Sequence, residues 1–280
     1  MNIVILGGTG LIGNSLLEGL KNSHDVKCFN RAVFDSIEIL LKSINNSDLV
    51  IQLSGSTIAK RWTKKHLQEV WSSRVDTTNM LANAINQMTT KPKVICASGV
   101  SFYPESDYSQ PYSEDGQEGK GYLTELSLAW EKAARSVSEE VIILRFGVVL
   151  SRSGGAFIKL YWPYFFGFGG PIAGGKQSFS WIHIKDLVKA VTFIVDSSES
   201  KGIYNITSPN PIPQKVFGKT LASALKRPFL LPLWQWQLKL LFGSGSQILT
   251  ESIAVVPKRL LKEGFVFDYP DISSAINDLT

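Results

Sequence analysis

Gly7, Gly10 and Gly13 are spaced as G-x-x-G-x-x-G in GGTGLIG, directly after the β-branched run NIVIL and before LIGNSLLEGL, whose apolar residues recur at helical spacing. A strand, a tight glycine turn and a helix in that order make a cradle for a pyrophosphate. Glycine permits the turn and the close approach of backbone to ligand, and the first N–H groups of the helix face the anion. The cradle spans Gly7, Thr9, Gly10, Leu11, Ile12 and Gly13, with the Thr9 hydroxyl as an added donor. A carboxylate about twenty residues on would bond the ribose hydroxyls of NAD. Here the next strand ends Phe29-Asn30-Arg31. The guanidinium of Arg31 suits a 2′-phosphate through charge-assisted bonds, so the expected cofactor is NADP(H).

The elements that must hold this cradle follow a βαβ rhythm. DVKCFNR reads as a strand, SIEILLKSI as a helix, DLVIQLSG as a strand buried on both faces, and Thr63 to about Gln87 as a long helical stretch with Thr63 at its N-cap. KVICAS, YLTELSLAWEKAARSV and VIILRFGVVL then supply strand, helix and strand. The fold expected is α/β, a Rossmann-type doubly wound parallel sheet. Residues 1–150 form the NADP-binding core, and residues 151–280 a smaller substrate-side lobe with returning strands and a helical C-terminal segment. In that lobe SWIHIKDLVKAVTFIV and GIYNITSPNPIPQKVFGKTLASALKR each give a strand and a helix, and KRLLKEGFVFDYP a turn and a short strand.

The 280 residues include 44% hydrophobic and 19% charged side chains, which excludes both a disordered chain and an integral membrane protein. A net charge of +5 favours anionic small molecules, but without a basic tail or an aromatic-basic repeat nucleic acid is not an expected partner. Cys28 and Cys96 are the only cysteines, and His24, His66 and His183 stand alone, so neither a disulfide framework nor a metal site is expected; a cytoplasmic location fits. PFLLPLWQWQLKLLFG falls short of the roughly 20 residues of a spanning helix and contains Lys239. It reads as a packing helix rather than a membrane-surface one, and no membrane partner is expected. GPIAGGK, residues 170–176, imitates a P-loop but has Gln177 where the magnesium-binding hydroxyl belongs.

Taken together, GGTGLIG, QLSGSTI, ASGVSFY, LAWEKAA, LRFGVVLSRSGGA and GFGGPIAGGKQSFSWIHIKDL resemble the extended short-chain dehydrogenase/reductase superfamily. More narrowly, the chain is similar to the atypical epimerase-family proteins often labelled nucleoside-diphosphate-sugar epimerases. The likeness extends over almost the whole chain. It implies NADP bound along the strand ends, with Asn30 and Arg31 on the adenosine phosphate, Leu53 and Ser54 lining the cofactor, Glu69 and Arg74 facing it from the long helix, and Val149 beside the nicotinamide.

Members of this superfamily typically use a tyrosine with a lysine four residues later for proton transfer, and no Tyr-x-x-x-Lys occurs here. On the helix that should carry the pair, Leu123 and Ser127 take its places. Ser98, at the end of KVICAS, and Tyr103, just beyond it, are the candidate catalytic residues, although without a lysine the Tyr103 phenol should stay near a pKa of about 10. The expected function is an NADP(H)-dependent oxidoreductase or epimerase-like enzyme acting on a small carbonyl or sugar compound, with an anionic or nucleotide-linked substrate and a homodimer left open. The alternative is a catalytically silent NADP(H)-binding protein that reports redox state.

Overall fold

A computed structural model describes residues 1–138 and 140–280. Strands β1 (Asn2–Leu6), β2 (Asp25–Phe29), β3 (Leu49–Gln52), β4 (Lys93–Gly99) and β5 (Ile142–Phe146) lie in one parallel sheet. Its order, β2-β1-β3-β4-β5-β9, is completed by β9 (Gly202–Ile206), a strand from the second half of the chain. Every residue of β3 is buried, as a strand covered on both faces requires. On one face helix α1 (Leu11–Leu20) packs through Leu16 and Leu20 against Ile3 and Ile5. On the other, α2 (Ile37–Ile44) packs through Leu40 and Ile44 against Val4 and Leu6.

The long helical stretch after Thr63 is real but interrupted. Helix α3 (Lys64–Trp71) starts where the Thr63 side chain accepts from His66 N–H, passes through a π-helical turn at Ser72–Asp76, and continues as α4 (Thr77–Asn86). Helix α5 (Tyr122–Arg135) follows β4. VIILRFGVVL, expected as one strand, is two. At Gly147 the chain leaves the main sheet: Gly147 N–H still donates to Ile206, but Val148 N–H donates to Ser180. Strand β6 (Val148–Leu150) therefore pairs elsewhere, after which the lobe begins with α6 (Gly155–Phe165) and β7 (Ser178–Phe179).

Strand β8 (Trp181–His183) is the partner of β6, and α7 (Ile184–Asp196) runs back onto the sheet through Leu187 and Val191. Beyond β9 come β10 (Ile212–Pro213), paired with β7, then α8 (Gln214–Ala224), α9 (Gln235–Phe242), α10 (Gln247–Thr250), α11 (Lys258–Lys262) and α12 (Ile272–Leu279). Phe157, Trp181, Phe217 and Ile276 make a separate core inside the lobe. The short strand expected in GFVFDYP is absent. Phe265 and Phe267 turn into the core there, and the N–H groups of Asp268 and Tyr269 go to the buried Asp186 carboxylate at 2.8 and 2.9 Å instead of to a ladder. Among the described residues no helix is long and apolar enough to cross a membrane, and no cluster of His, Cys, Asp or Glu is arranged for a metal.

Candidate cofactor site and the buried network beside it

The glycine turn joins β1 to α1. Gly7 takes a φ of +82°, which favours glycine, and a Cβ there would lie 2.8 Å from Ser54 N. A Cβ on Gly13 would meet Gly8 Cα at 2.5 Å, so helix and turn pack backbone to backbone. Gly10 is the N-cap, with no side-chain cap and no acidic residue in the first turn of α1. Asn14 N–H begins the helical ladder by donating to Gly10. The amides of Leu11, Ile12 and Gly13 are thus the ones left without an intrahelical acceptor. Thr9 is exposed on the same turn.

The amides of Gly7 and Gly8 both donate to Phe29 O, at 2.9 and 3.0 Å. These two bonds fix the end of β2, and hence Asn30 and Arg31, beside the turn. The Asn30 side chain is occupied locally, its Oδ1 accepting from Ala32 N–H at 3.0 Å to cap a short 3-10 helix. Arg31 opens that helix and is exposed.

Ser54, just past β3, is buried, and its Oγ has no hydrogen-bond partner among the described residues. Leu53 beside it is half-buried against the core. Arg74 reaches this loop from the π-helical turn, with a Cβ on Gly55 falling 3.0 Å from its Cζ. Its guanidinium donates to Ser56 O at 2.9 Å and Val70 O at 3.2 Å and lies 5.4 Å from the Trp130 ring centre. Burial pulls its pKa down to about 10, and no carboxylate pairs with it among the described residues. Glu69, on α3, is 43% exposed and 3.8 Å from His66 Nδ1. Val149, in β6, lies near the N-terminus of α6, whose Gly155 approaches Leu11.

Ser98 and Tyr103 sit in a different environment. Both are buried, at 3% and 1% exposure, and their hydroxyls are spoken for. Ser98 Oγ donates to Glu131 Oε1 at 2.9 Å. The Tyr103 hydroxyl donates to Asn205 Oδ1 and accepts from Arg145 Nη1, each at 2.8 Å. Arg145 in turn grips Glu131 with both nitrogens, Nε to Oε1 at 2.7 Å and Nη2 to Oε2 at 2.8 Å. Burial works against the Arg145 charge, but the Glu131 carboxylate outweighs it and raises the pKa. The Tyr103 phenol is not left at its ordinary value as expected: burial, the largest influence, raises it despite the nearby Arg145. Leu123 and Ser127 are buried on α5, the Ser127 hydroxyl donating to the Leu123 carbonyl.

Sequence reasoning passed over Glu131, Arg145 and Asn205. The signal was present in VIILRFGVVL, where Arg145 is the one charged residue of an apolar strand and had to find a buried partner. The P-loop look-alike is an irregular turn with Ala173, Gly174 and Gly175 at positive φ, and Gln177 spends its amide on the carbonyls of Ile172 and Leu249.

Residues 3–125 match the model of the NAD dependent epimerase/dehydratase family, and residues 235–279 match a domain of unknown function, DUF1731. An epimerase family protein of Staphylococcus haemolyticus is 33% identical across 99% of this chain and 98% of its own length. The mouse epimerase family protein SDR39U1 is also 33% identical, across 100% of this chain and 99% of its own. The crystal structure of human SDR39U1 with NADPH superposes with a TM-score of 0.91 at 31% identity, over 100% of this chain and 99% of that one. With relatives of this identity aligned from end to end on a six-stranded Rossmann-like sheet, the chain belongs to the epimerase family of extended short-chain dehydrogenases/reductases.

Proposed function

We propose that this protein binds NADP(H) and acts as an oxidoreductase or epimerase-like enzyme on a small carbonyl or sugar compound. The observation that carries the reading is the glycine turn: the amides of Leu11, Ile12 and Gly13 are free, and those of Gly7 and Gly8 bond to Phe29 O and so fix beside them a strand end that presents Arg31 and no carboxylate. In this reading the three amides hold the pyrophosphate, Arg31 holds the 2′-phosphate, and Asn30 shapes the turn that presents it. Leu53, Ser54 and Arg74 line the next stretch, the lone Ser54 hydroxyl and the unpaired Arg74 charge each suiting a polar, anionic ligand. Val149 borders the nicotinamide side, and Glu69 contributes from the helix face. The human relative crystallised with NADPH supports the same cofactor. A bound nicotinamide supplies hydride chemistry, and this chain's residues orient it.

The proton side of the reaction is where a second reading gains support. Ser98 and Tyr103 remain the candidate hydroxyls at and beyond the end of β4, but each has its proton committed to a buried acceptor. That arrangement favours a protein that holds NADP(H) without turning it over and reports its redox state. Titration calorimetry tests the shared premise: NADPH should bind more tightly than NADH, and Arg31→Ala should narrow the preference about tenfold. Equal affinities in the wild type overturn the cofactor assignment. A screen of carbonyl and nucleotide-sugar compounds separates the two readings, since NADPH consumption or an epimerised product excludes the silent one.

A further inference from the structure

Helix α9 does not pack as its sequence led us to expect. Of its eight residues only Leu238 is buried, while Trp236, Leu240 and Leu241 are more than half exposed. The same holds for the segment after α6, where Phe166 and Phe168 are exposed beside Trp162. The two segments are one surface. Leu230 and Leu231 N–H both donate to Gly169 O, Leu233 N–H to Pro171 O, and Ala173 N–H back to Leu233 O. The loop 59–62 joins them from the core side: Arg61 donates to Leu240 O at 3.0 Å and Lys159 to Ala59 O at 3.2 Å.

The segments that build this surface carry charge of a single sign. Residues 56–68, 151–185 and 206–250 hold four, four and five Lys or Arg, and no Asp or Glu. Of these, Arg61, Lys159, Arg227 and Lys239 are exposed at the edges of the aromatic surface, Arg227 lying 5.5 Å from the Phe165 ring. Large exposed apolar patches on a folded protein mark interaction sites.

We propose that this face is a peripheral membrane-docking surface for anionic phospholipid. Tryptophan and leucine side chains enter the boundary between headgroups and acyl chains, and the surrounding cations meet the anionic headgroups. Self-association fits poorly, because a two-fold interface would set Arg61, Lys159, Arg227 and Lys239 against their own copies. A single-stranded nucleic acid fits less well: the tryptophans and phenylalanines offer rings for stacking, but Leu230, Leu231, Leu240 and Leu241 are exposed among them and add apolar area that stacked bases do not cover.

Sedimentation of the full chain with vesicles tests this. Phosphatidylcholine vesicles containing about one third phosphatidylglycerol should carry the protein down, and pure phosphatidylcholine vesicles should not. Raising the salt to about 1 M should release it. W236Q with L240Q should weaken partition at least about tenfold, and R227Q with K239Q should weaken it at low salt, with NADPH affinity unchanged in both as the check on folding. The proposal is overturned if the anionic vesicles fail to bind the wild type, or if W236Q with L240Q leaves partition unaltered. It is equally overturned if the face instead holds an oligonucleotide, or a dimer that W236Q dissociates.

Discussion

Two arginines that reach neighbouring residues of the α5 helix show how differently this molecule treats a desolvated charge. Arg145 is all but invisible to solvent and locked to Glu131 by two parallel hydrogen bonds, with Tyr103 taking a third donor and the Phe102 ring 3.4 Å from its Cζ. Arg74 is similarly desolvated but has only carbonyl oxygens and the face of Trp130. A guanidinium whose charge is balanced within the fold holds elements together; here it ties β5 to α5, β4 and β9. On the function proposed above, one whose charge is left unbalanced, at the loop that follows the unpartnered Ser54 hydroxyl, is there to receive an anion. On that proposal the contrast separates the parts of the strand-end region that build the site from those that would meet the ligand.

Breaking the paired arginine should have the largest effect. Arg145→Met leaves the buried Glu131 carboxylate with only the Ser98 hydroxyl and the half-exposed Arg135, 3.9 Å away, so unfolding in urea should show a loss of about 3 to 5 kcal/mol. Glu131→Gln strands the guanidinium in the same way and should cost a similar amount. Because the two residues act as one unit, Arg145→Met combined with Glu131→Leu should recover part of either single loss. Strict additivity of the two would show that Arg145 and Glu131 contribute separately and would remove one side of the comparison.

Tyr103→Phe comes next. It takes a hydroxyl from between Arg145 Nη1 and Asn205 Oδ1, leaving both buried and short of a partner, which should cost about 1 to 3 kcal/mol. Burial holds the phenol above its ordinary pKa, so Tyr103 keeps its proton throughout the neutral range. As pH rises past about 10 the unfolded phenol ionises first, and this residue's contribution then favours unfolding. NADPH affinity should be insensitive to the substitution. If the wild type proves active, and Tyr103→Phe abolishes turnover while unfolding and NADPH binding stay as they were, Tyr103 is a catalytic residue and belongs with Arg74 rather than with Arg145.

Much of the fold could be read from the sequence because its signals are local. NIVIL followed by GGTG is a strand that must turn, Thr63 caps the helix it was expected to cap, and LVIQ is apolar throughout because both of its faces are covered. The family resemblance rested on the same stretches. What escaped depends on partners far apart in the chain. Nothing local in KVICAS or GVSFY says that the Ser98 hydroxyl will donate to a residue 33 positions away, or that Tyr103 will meet Asn205 across 102. The break at Gly147 is set by Ser180, and the lost strand near Phe267 by the Asp186 carboxylate. Helix α9 misled in the opposite direction, because an apolar helix looks the same in sequence whether a core covers it or a partner outside the chain must.

Arg74→Met gives the smallest change in stability and sharpens the comparison most. Methionine keeps much of the apolar stem against Trp130 and removes a charge that the fold does not neutralise, so the free protein should change by no more than about 1 kcal/mol. Two carbonyls lose a donor, which limits any gain. NADPH binding should respond in the opposite proportion. Loss of a desolvated charge-assisted contact should weaken it about tenfold or more by calorimetry. Bound NADPH should also raise the melting temperature of the wild type by more than that of the variant at equal ligand concentration. Arg74→Lys distinguishes charge from shape, since an ammonium retains attraction to an anion but cannot reach Ser56, Val70 and a ligand together with one planar fork. Partial recovery with lysine is the expected result. If Arg74→Met instead destabilised the free chain as severely as Arg145→Met and left NADPH affinity untouched, Arg74 would be a second structural arginine, and the anion would have to be sought at Arg31 and the glycine turn alone.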